Sequence, residues 1–203
     1  MSEQKNASQT AETTLLLRAL TCFEQEARIR GVDHMAELFL PEETRRKLQN
    51  PAYRMAVKAK LPEGLYAYII ARTAYFDEVF VESLQAGFPQ IVLLGAGYDT
   101  RAYRLAPPAG KAGTIFEVDA PPTQEQKLRI LQEKRITHDN IAFVSVDFEK
   151  NDLVRYLVEN GYNASQKTLL YMGRSHIVFD SRGCRDNAPY PSEKFRARKF
   201  PCL

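Results

Sequence analysis

Little in this sequence points to a metal, a disulfide frame or a membrane. Its 203 residues hold three cysteines, Cys22, Cys184 and Cys202, with no C-x-x-C pair and no ligand-like spacing. Free thiols in a reducing compartment are the expected state, and no metal site is expected. No apolar run approaches the ~20 residues of a membrane span. The N-terminus, MSEQKNASQTAETT, lacks the apolar core of a signal peptide, so a cytoplasmic location is expected. Neither sign of charge dominates: the net charge of +3 is too small to indicate nucleic acid and reads as a solvated surface. No G-x-x-x-x-G-K-[ST] loop is present, which argues against a nucleotide triphosphatase. What remains is ordinary for a soluble globular chain, with 44% hydrophobic and 26% charged residues, in one domain large enough for a real core.

The most informative stretch is Gln90–Leu105, QIVLLGAGYDTRAYRL. A short apolar run, Ile91–Leu94, ends in Gly95-Ala96-Gly97, the pattern of a buried parallel strand feeding a tight turn. Glycine there lets the backbone approach a ligand closely. Thr100–Leu105 starts a crossover helix, with Asp99 or Thr100 as its cap and Pro107-Pro108 as its stop. Thr114–Val118 is a second strand ending at Asp119. A carboxylate there can accept hydrogen bonds from two ribose hydroxyls. Asp119 could instead cap the helix that follows, since Pro121-Pro122 suit a first turn; the glycine turn and the acid together favour the ribose.

Pro121–Arg135 reads as a helix with Leu128 and Leu131 inward. Ile141–Val146 is a third strand, ending in Asp147-Phe148. Alone, this pair reads as a capping aspartate and a core phenylalanine. Asp152–Asn160 is a helix with Leu153, Tyr156 and Leu157 inside, closed by Gly161. Thr168–Met172 is a fourth strand. This alternation predicts a parallel α/β sheet with right-handed crossovers.

Upstream, residues 1–12 read as a tail, and a helical pattern begins at Thr13 with Leu16, Leu17, Leu20 and Phe23 at helix spacing. Short helical pieces at 34–39, 42–49 and between Pro51 and Pro62 suggest a cap over the mouth of the sheet. Glu63–Ala86 is the clearest helix, its stripe running through Leu65, Tyr68, Ile69, Phe76, Val79, Phe80 and Leu84. Arg72 interrupts that stripe. It either snorkels to water or is a cation held against the sheet for a carboxylate or phosphate.

The dinucleotide fingerprint needs a third glycine, and that place is Thr100. A nicotinamide-dependent oxidoreductase is thereby disfavoured. LLGAGYDTRAYRL, then FEVDAPPTQEQK, then VSVDFEK, with ARTAYFD upstream, together resemble the leucine carboxyl methyltransferase-like family of S-adenosylmethionine-dependent methyltransferases. The likeness runs from about Thr13 to Met172. It implies a Rossmann-like parallel sheet of the class I methyltransferase type (residues 63–172) behind an N-terminal helical cap (13–62), with S-adenosyl-L-methionine as cofactor. It also implies that Arg72 clamps the methionine carboxylate, that Gly95 and Gly97 form the turn beneath it, that Asp119 holds the ribose, and that Asp147 and Phe148 face the adenine. Asp99 and Arg101 would brace the turn. The family's N-terminal lysine, which helps bind the cofactor carboxylate, has no clear match. The expected reaction is O-methyl transfer to a carboxyl or hydroxyl group of an unidentified small molecule or protein. No general base stands out, since His34, His138 and His176 lack a catalytic context.

After Met172 the expected Glu-Gly-Val-Thr motif and further strands are missing. Gly173–Ile177, read one base later through suitable codons, yields Glu-Gly-Val-Thr. The expectation is therefore an irregular, frameshifted tail over 173–203, a fourth strand left as a bare edge, and a truncated enzyme of impaired activity; the alternative is an inactive cofactor-binding remnant.

Overall fold

The computed structural model describes residues 9–27, 29–106, 113–136, 139–148 and 152–172, and the backbone of 175–179. The expectations for residues 1–8, Pro107-Pro108, His138, 173–174 and 180–203 lie outside these residues.

The fold is α/β with a Rossmann-like sheet. Strands β1 (Gln90–Leu94), β2 (Thr114–Asp119), β3 (Ile141–Ser145) and β4 (Thr168–Met172) run parallel. The sheet does not stop at β4: β5 (Ser175–Phe179) pairs with it antiparallel, giving the order β3-β2-β1-β4-β5. This corrects the bare-edge expectation. The run Ile177-Val178-Phe179 is of residue types that favour strands, and an open β4 edge offers it unpaired backbone groups.

Side chains alternate across β1, and each face meets helices. Ile91 and Leu93 join the larger core, which includes Leu15, Leu17 and Leu20 of α1 (Gln9–Thr21) and Phe76 and Phe80 of α4 (Leu65–Gln85). Val92 points the other way, to Phe116, Val118, Val144 and Leu157 of α7 (Leu153–Glu159). The short helices α2 (Glu42–Leu48) and α3 (Pro51–Ala59) and a 3-10 turn (Ala36–Phe39) complete the cap. Helix α1 already begins at Gln9, inside the stretch read as tail. No helix among the described residues is long and apolar enough to cross a membrane.

Local signals account for several helix ends. Asn50 caps α3 by accepting from the Ala52 N–H at 2.9 Å, and Pro51 follows at the first turn. Asp152 caps α7 in the same way. Gly87 and Gly161, just past α4 and α7, have φ of 69° and 92°, the left-handed conformation of a helix end.

One reading does not hold. Helix α6 (Pro121–Glu133) buries Leu131, but Leu128 is 37% exposed. The residues that face inward are Gln124, Lys127 and Leu131, at helical spacing. Lys127 turns inward because Glu117 of β2 waits there: its Nζ lies 2.6 Å from Glu117 Oε2, and both side chains are almost wholly buried.

Candidate functional site

The strand order reverses between β1 and β4, since β2 and β3 lie on one side of β1 and β4 on the other. In open α/β sheets, ligands bind beyond the carboxyl ends of the strands at such a point. A cavity of about 510 Å³ opens there, walled by the ends of β1, β2 and β4, by the first turns of α1 and by the first half of α4.

Its floor is the glycine turn. Gly95 and Gly97 have φ of 64° and 49°, which only glycine adopts freely. The Ala96 N–H donates to Val118 O at 3.0 Å, and the Asp99 N–H returns to Ala96 O at 2.8 Å. The Gly97 N–H donates to Asp119 Oδ2, and Ala120 N–H donates to Oδ1 at 2.7 Å. Two carboxylate oxygens offer about four acceptor positions, so Asp119 can brace the turn and still accept hydroxyl donors. A Cβ on Gly97 would lie 3.2 Å from Ala11 Cβ: α1 rests directly on the turn. Gly97→Ala is expected to cost about 1–2 kcal/mol from the left-handed backbone, and to lift α1 as well. Denaturant titration checks the first effect and ligand binding the second.

Arg72, Gly95, Gly97 and Asp119 all border this cavity; Asp147 and Phe148 do not. The latter pair follows β3, where Val146 N–H donates to Asp119 O at 3.0 Å. Phe148 is 49% exposed, so it is not the core residue that pattern alone suggested. His34 is exposed and lies away from the cavity.

Arg72 is half-buried on α4, its guanidinium 5.5 Å from the Phe76 ring centre. Burial, then the neighbouring Arg101 and Arg18 cations, push its pKa below the ordinary value, against Tyr68 and Asp99. A cation deprived of water beside other cations is favourably placed to receive an anion.

Behind the cavity wall lies a buried ionic network that sequence reading missed. Asp33, wholly buried, accepts from Arg18 Nη1 at 2.9 Å, Thr100 Oγ1 at 2.7 Å and the Ala36 N–H at 3.1 Å. Arg104 Nε lies 3.3 Å from the same carboxylate. Asp77 of α4 accepts from Arg101 Nε and Arg104 Nη2, each at 2.8 Å. Arg18 Nη2 donates to Tyr98 O at 2.7 Å, and Lys127 Nζ donates to Asp99 O at 2.7 Å. The helical cap is thus bound to the segment just after the glycine turn by charges separated widely in the chain. Thr100, where a dinucleotide fold would carry glycine, serves as a donor to Asp33. The one legible signal was a density of Arg and Asp in YDTRAYRL, of which only Asp99 and Arg101 were read as bracing.

Asp99 has 17% of its side chain exposed and accepts from the Arg101 backbone N–H at 2.8 Å and from the Arg101 guanidinium. Burial would raise its pKa. Arg101, Arg18, the backbone N–H and Lys127 outweigh that and hold it at about 2, against 3.8 ordinarily. Because the folded value is the lower one, the stabilisation is complete above the unfolded value and is lost as pH falls from about 4 to 2. It amounts to about 2 kcal/mol. Denaturant titrations at pH 6, 4 and 2.5 are expected to show that loss, and Asp99→Asn to remove this share of it.

A family model described as leucine carboxyl methyltransferase matches residues 11–173. Three similar curated proteins carry the name "Putative S-adenosyl-L-methionine-dependent methyltransferase". One from Mycobacterium ulcerans is 43% identical over 88 residues, 42% of this chain and 28% of its own length. One from Mycolicibacterium paratuberculosis is 42% identical over 107 residues, 52% of this chain and 34% of its own. One from Mycolicibacterium smegmatis is 40% identical over 105 residues, 50% of this chain and 31% of its own. The matched stretch therefore spans about a third of these relatives.

Proposed function

Because this chain belongs to the leucine carboxyl methyltransferase family, we propose that its cavity binds S-adenosyl-L-methionine and that the protein transfers the methyl group to an oxygen nucleophile, a carboxylate in the first instance. The observation that carries this reading is the convergence of Arg72, Gly95, Gly97 and Asp119 on one cavity at the sheet's switch point.

The residues present suit that cofactor. Arg72 is a desolvated cation fit for an α-carboxylate. Asp119 keeps acceptor capacity for ribose hydroxyls, and the glycine turn leaves room above the backbone. When bound, the cofactor supplies a methyl group already activated on a sulfonium. The chain's part is to hold it, to orient the acceptor in line and to exclude water. Asp147 and Phe148, beyond the end of β3, are proposed to face the adenine edge of the same ligand.

The preference for a carboxylate acceptor comes from the titratable groups on the cavity wall. Asp99 is held at about 2, a weak base near neutrality. Burial pushes the Tyr98 phenol up to about 12 and the Tyr171 phenol up further still. The described residues of the wall include no histidine, lysine or cysteine to take a proton from a hydroxyl near pH 7. A carboxylate arrives already deprotonated.

Calorimetric titration with S-adenosylmethionine, S-adenosylhomocysteine and NAD tests the reading. Binding of the first two and not the third is expected; binding of NAD alone would sink it.

A further inference from the structure

Lys127 and Glu117 form a buried ion pair that the ligand contacts above do not use. Each residue is 1% exposed, and neither borders the cavity. Such a pair is a poor device for stability, because apolar side chains of similar volume often serve as well or better. Its geometry shows what apolar residues could not supply. The Lys127 ammonium carries three donors. It meets Glu117 Oε2 at 2.6 Å and Asp99 O at 2.7 Å, and lies 5.0 Å from the centre of the Tyr103 ring. Glu117 is itself held by the Tyr103 hydroxyl, which donates to Oε2 at 3.0 Å. About one turn before Lys127 on α6, Gln124 Nε2 donates to Glu117 O at 2.9 Å and fixes the helix against β2.

We propose that Lys127 is a positioning residue for the methionine end of the methyl donor, acting through the Asp99 peptide. This deepens the methyl-transfer reading above and rests on it.

Asp99 is fixed from both sides of its backbone. Its N–H returns to Ala96 O of the glycine turn at 2.8 Å, and its C=O accepts from Lys127 behind the cavity. Held in this way, Asp99 turns its carboxylate to Arg101, accepting from the backbone N–H at 2.8 Å and from the guanidinium. The guanidiniums of Arg101 and Arg72 lie 5.7 Å and 5.5 Å from the centre of one ring, that of Phe76. Asp99 and Arg101 both act on Arg72, in opposite senses. A carbonyl deprived of its buried donor would turn to find another, and the carboxylate and Arg101 would move with it. The ribose side is anchored separately, since Asp119 is braced by the Gly97 and Ala120 N–H groups and not by Lys127. Loss of Lys127 should therefore be felt at the carboxylate end of the donor and spare the adenosine end.

The full chain is titrated calorimetrically with S-adenosylhomocysteine and with 5′-methylthioadenosine, which has the adenosine end and no carboxylate. Glu117→Gln/Lys127→Met removes the pair without leaving either charge alone in the interior. It is compared with Glu117→Gln, which loses the ion pair but keeps the Lys127 donor. The double variant is expected to bind S-adenosylhomocysteine about fivefold more weakly than Glu117→Gln, the order of one lost hydrogen bond. Its affinity for 5′-methylthioadenosine should stay within about twofold. Hydrogen exchange at the Asp99 and Arg101 amides should quicken about tenfold, with the amides of β1 unchanged. Glu117→Gln/Lys127→Leu is a second apolar replacement and should behave alike. Equal weakening of both ligands, or an unchanged affinity for S-adenosylhomocysteine, overturns the proposal and leaves Lys127 a packing residue. Were the parent to bind no S-adenosylhomocysteine, the methyl-donor reading would fall separately. Faster exchange confined to Asp99 and Arg101 would then still support the hold of Lys127 on this segment, and unchanged exchange would overturn it.

Discussion

Asp33→Ala is expected to destabilise the protein by about 3–5 kcal/mol, the cost of removing one partner from a buried charge pair. Asp33 is wholly buried and holds Arg18 and Arg104 together with Thr100 and the Ala36 N–H. Alanine would leave Arg18 without its carboxylate partner and Arg104 with Asp77 alone. It would also remove the side-chain acceptor of the Ala36 N–H at the start of the 3-10 turn. Since α1 reaches the cavity through Arg18, the loss should loosen the helical cap before it loosens the sheet. Asp33→Asn keeps the shape and one acceptor oxygen, and should fall between alanine and the parent. Urea titration followed by circular dichroism measures the stability, and hydrogen exchange locates it. A loss under about 1 kcal/mol for alanine would mean that water replaces the missing carboxylate and that the network contributes little.

Arg72→Ala is expected to weaken S-adenosylhomocysteine binding roughly 10–150-fold, the range for loss of a hydrogen-bonded charge contact. The protein should remain folded, because Arg72 is only half-buried and stands at the cavity edge of α4. The useful comparison is 5′-methylthioadenosine, which keeps the ribose and adenine but has no carboxylate. Its affinity should change by less than about threefold, since its contacts would lie at Asp119 and beyond. Arg72→Lys should recover part of the loss, because lysine restores the charge without the planar fork. Equal weakening of both ligands would show that Arg72 shapes the cavity and does not bind the carboxylate. Together with Gly97→Ala and the acid profile of Asp99, these variants separate the turn, the clamp and the network behind them.

Much of this was legible beforehand. Strand β1, the glycine turn and the alternation of strands and helices follow from local signals: apolar runs, helical spacing, caps and breakers. Such signals depend on residues close in sequence, which is why α4, α7 and the turn at 95–97 were found nearly to their ends. Arg72 was visible as a charge on an apolar stripe, though the stripe alone left open whether it escaped to water. Other features could not be read this way. Lys127 displaced Leu128 from the inward face because Glu117 sits opposite on another element. Phe148 followed a strand and still ended exposed. Residues 175–179 carry no alternation, yet they complete the sheet by pairing with an edge that only the folded chain presents.

From its sequence alone, the chain determined a parallel α/β sheet with a glycine turn at the end of its first strand, because backbone conformation at Gly95 and Gly97 and the period of each element are local properties. The tertiary structure decided which charges meet and which apolar residues stay uncovered. Arg18 and Tyr98 lie 80 positions apart in the chain, and Asp33 and Thr100 lie 67 apart. Their pairing depends on how the cap settles on the sheet. The same packing leaves Tyr68 at the cavity, 53% exposed, while Phe80, further along the same helix, is sealed in the core.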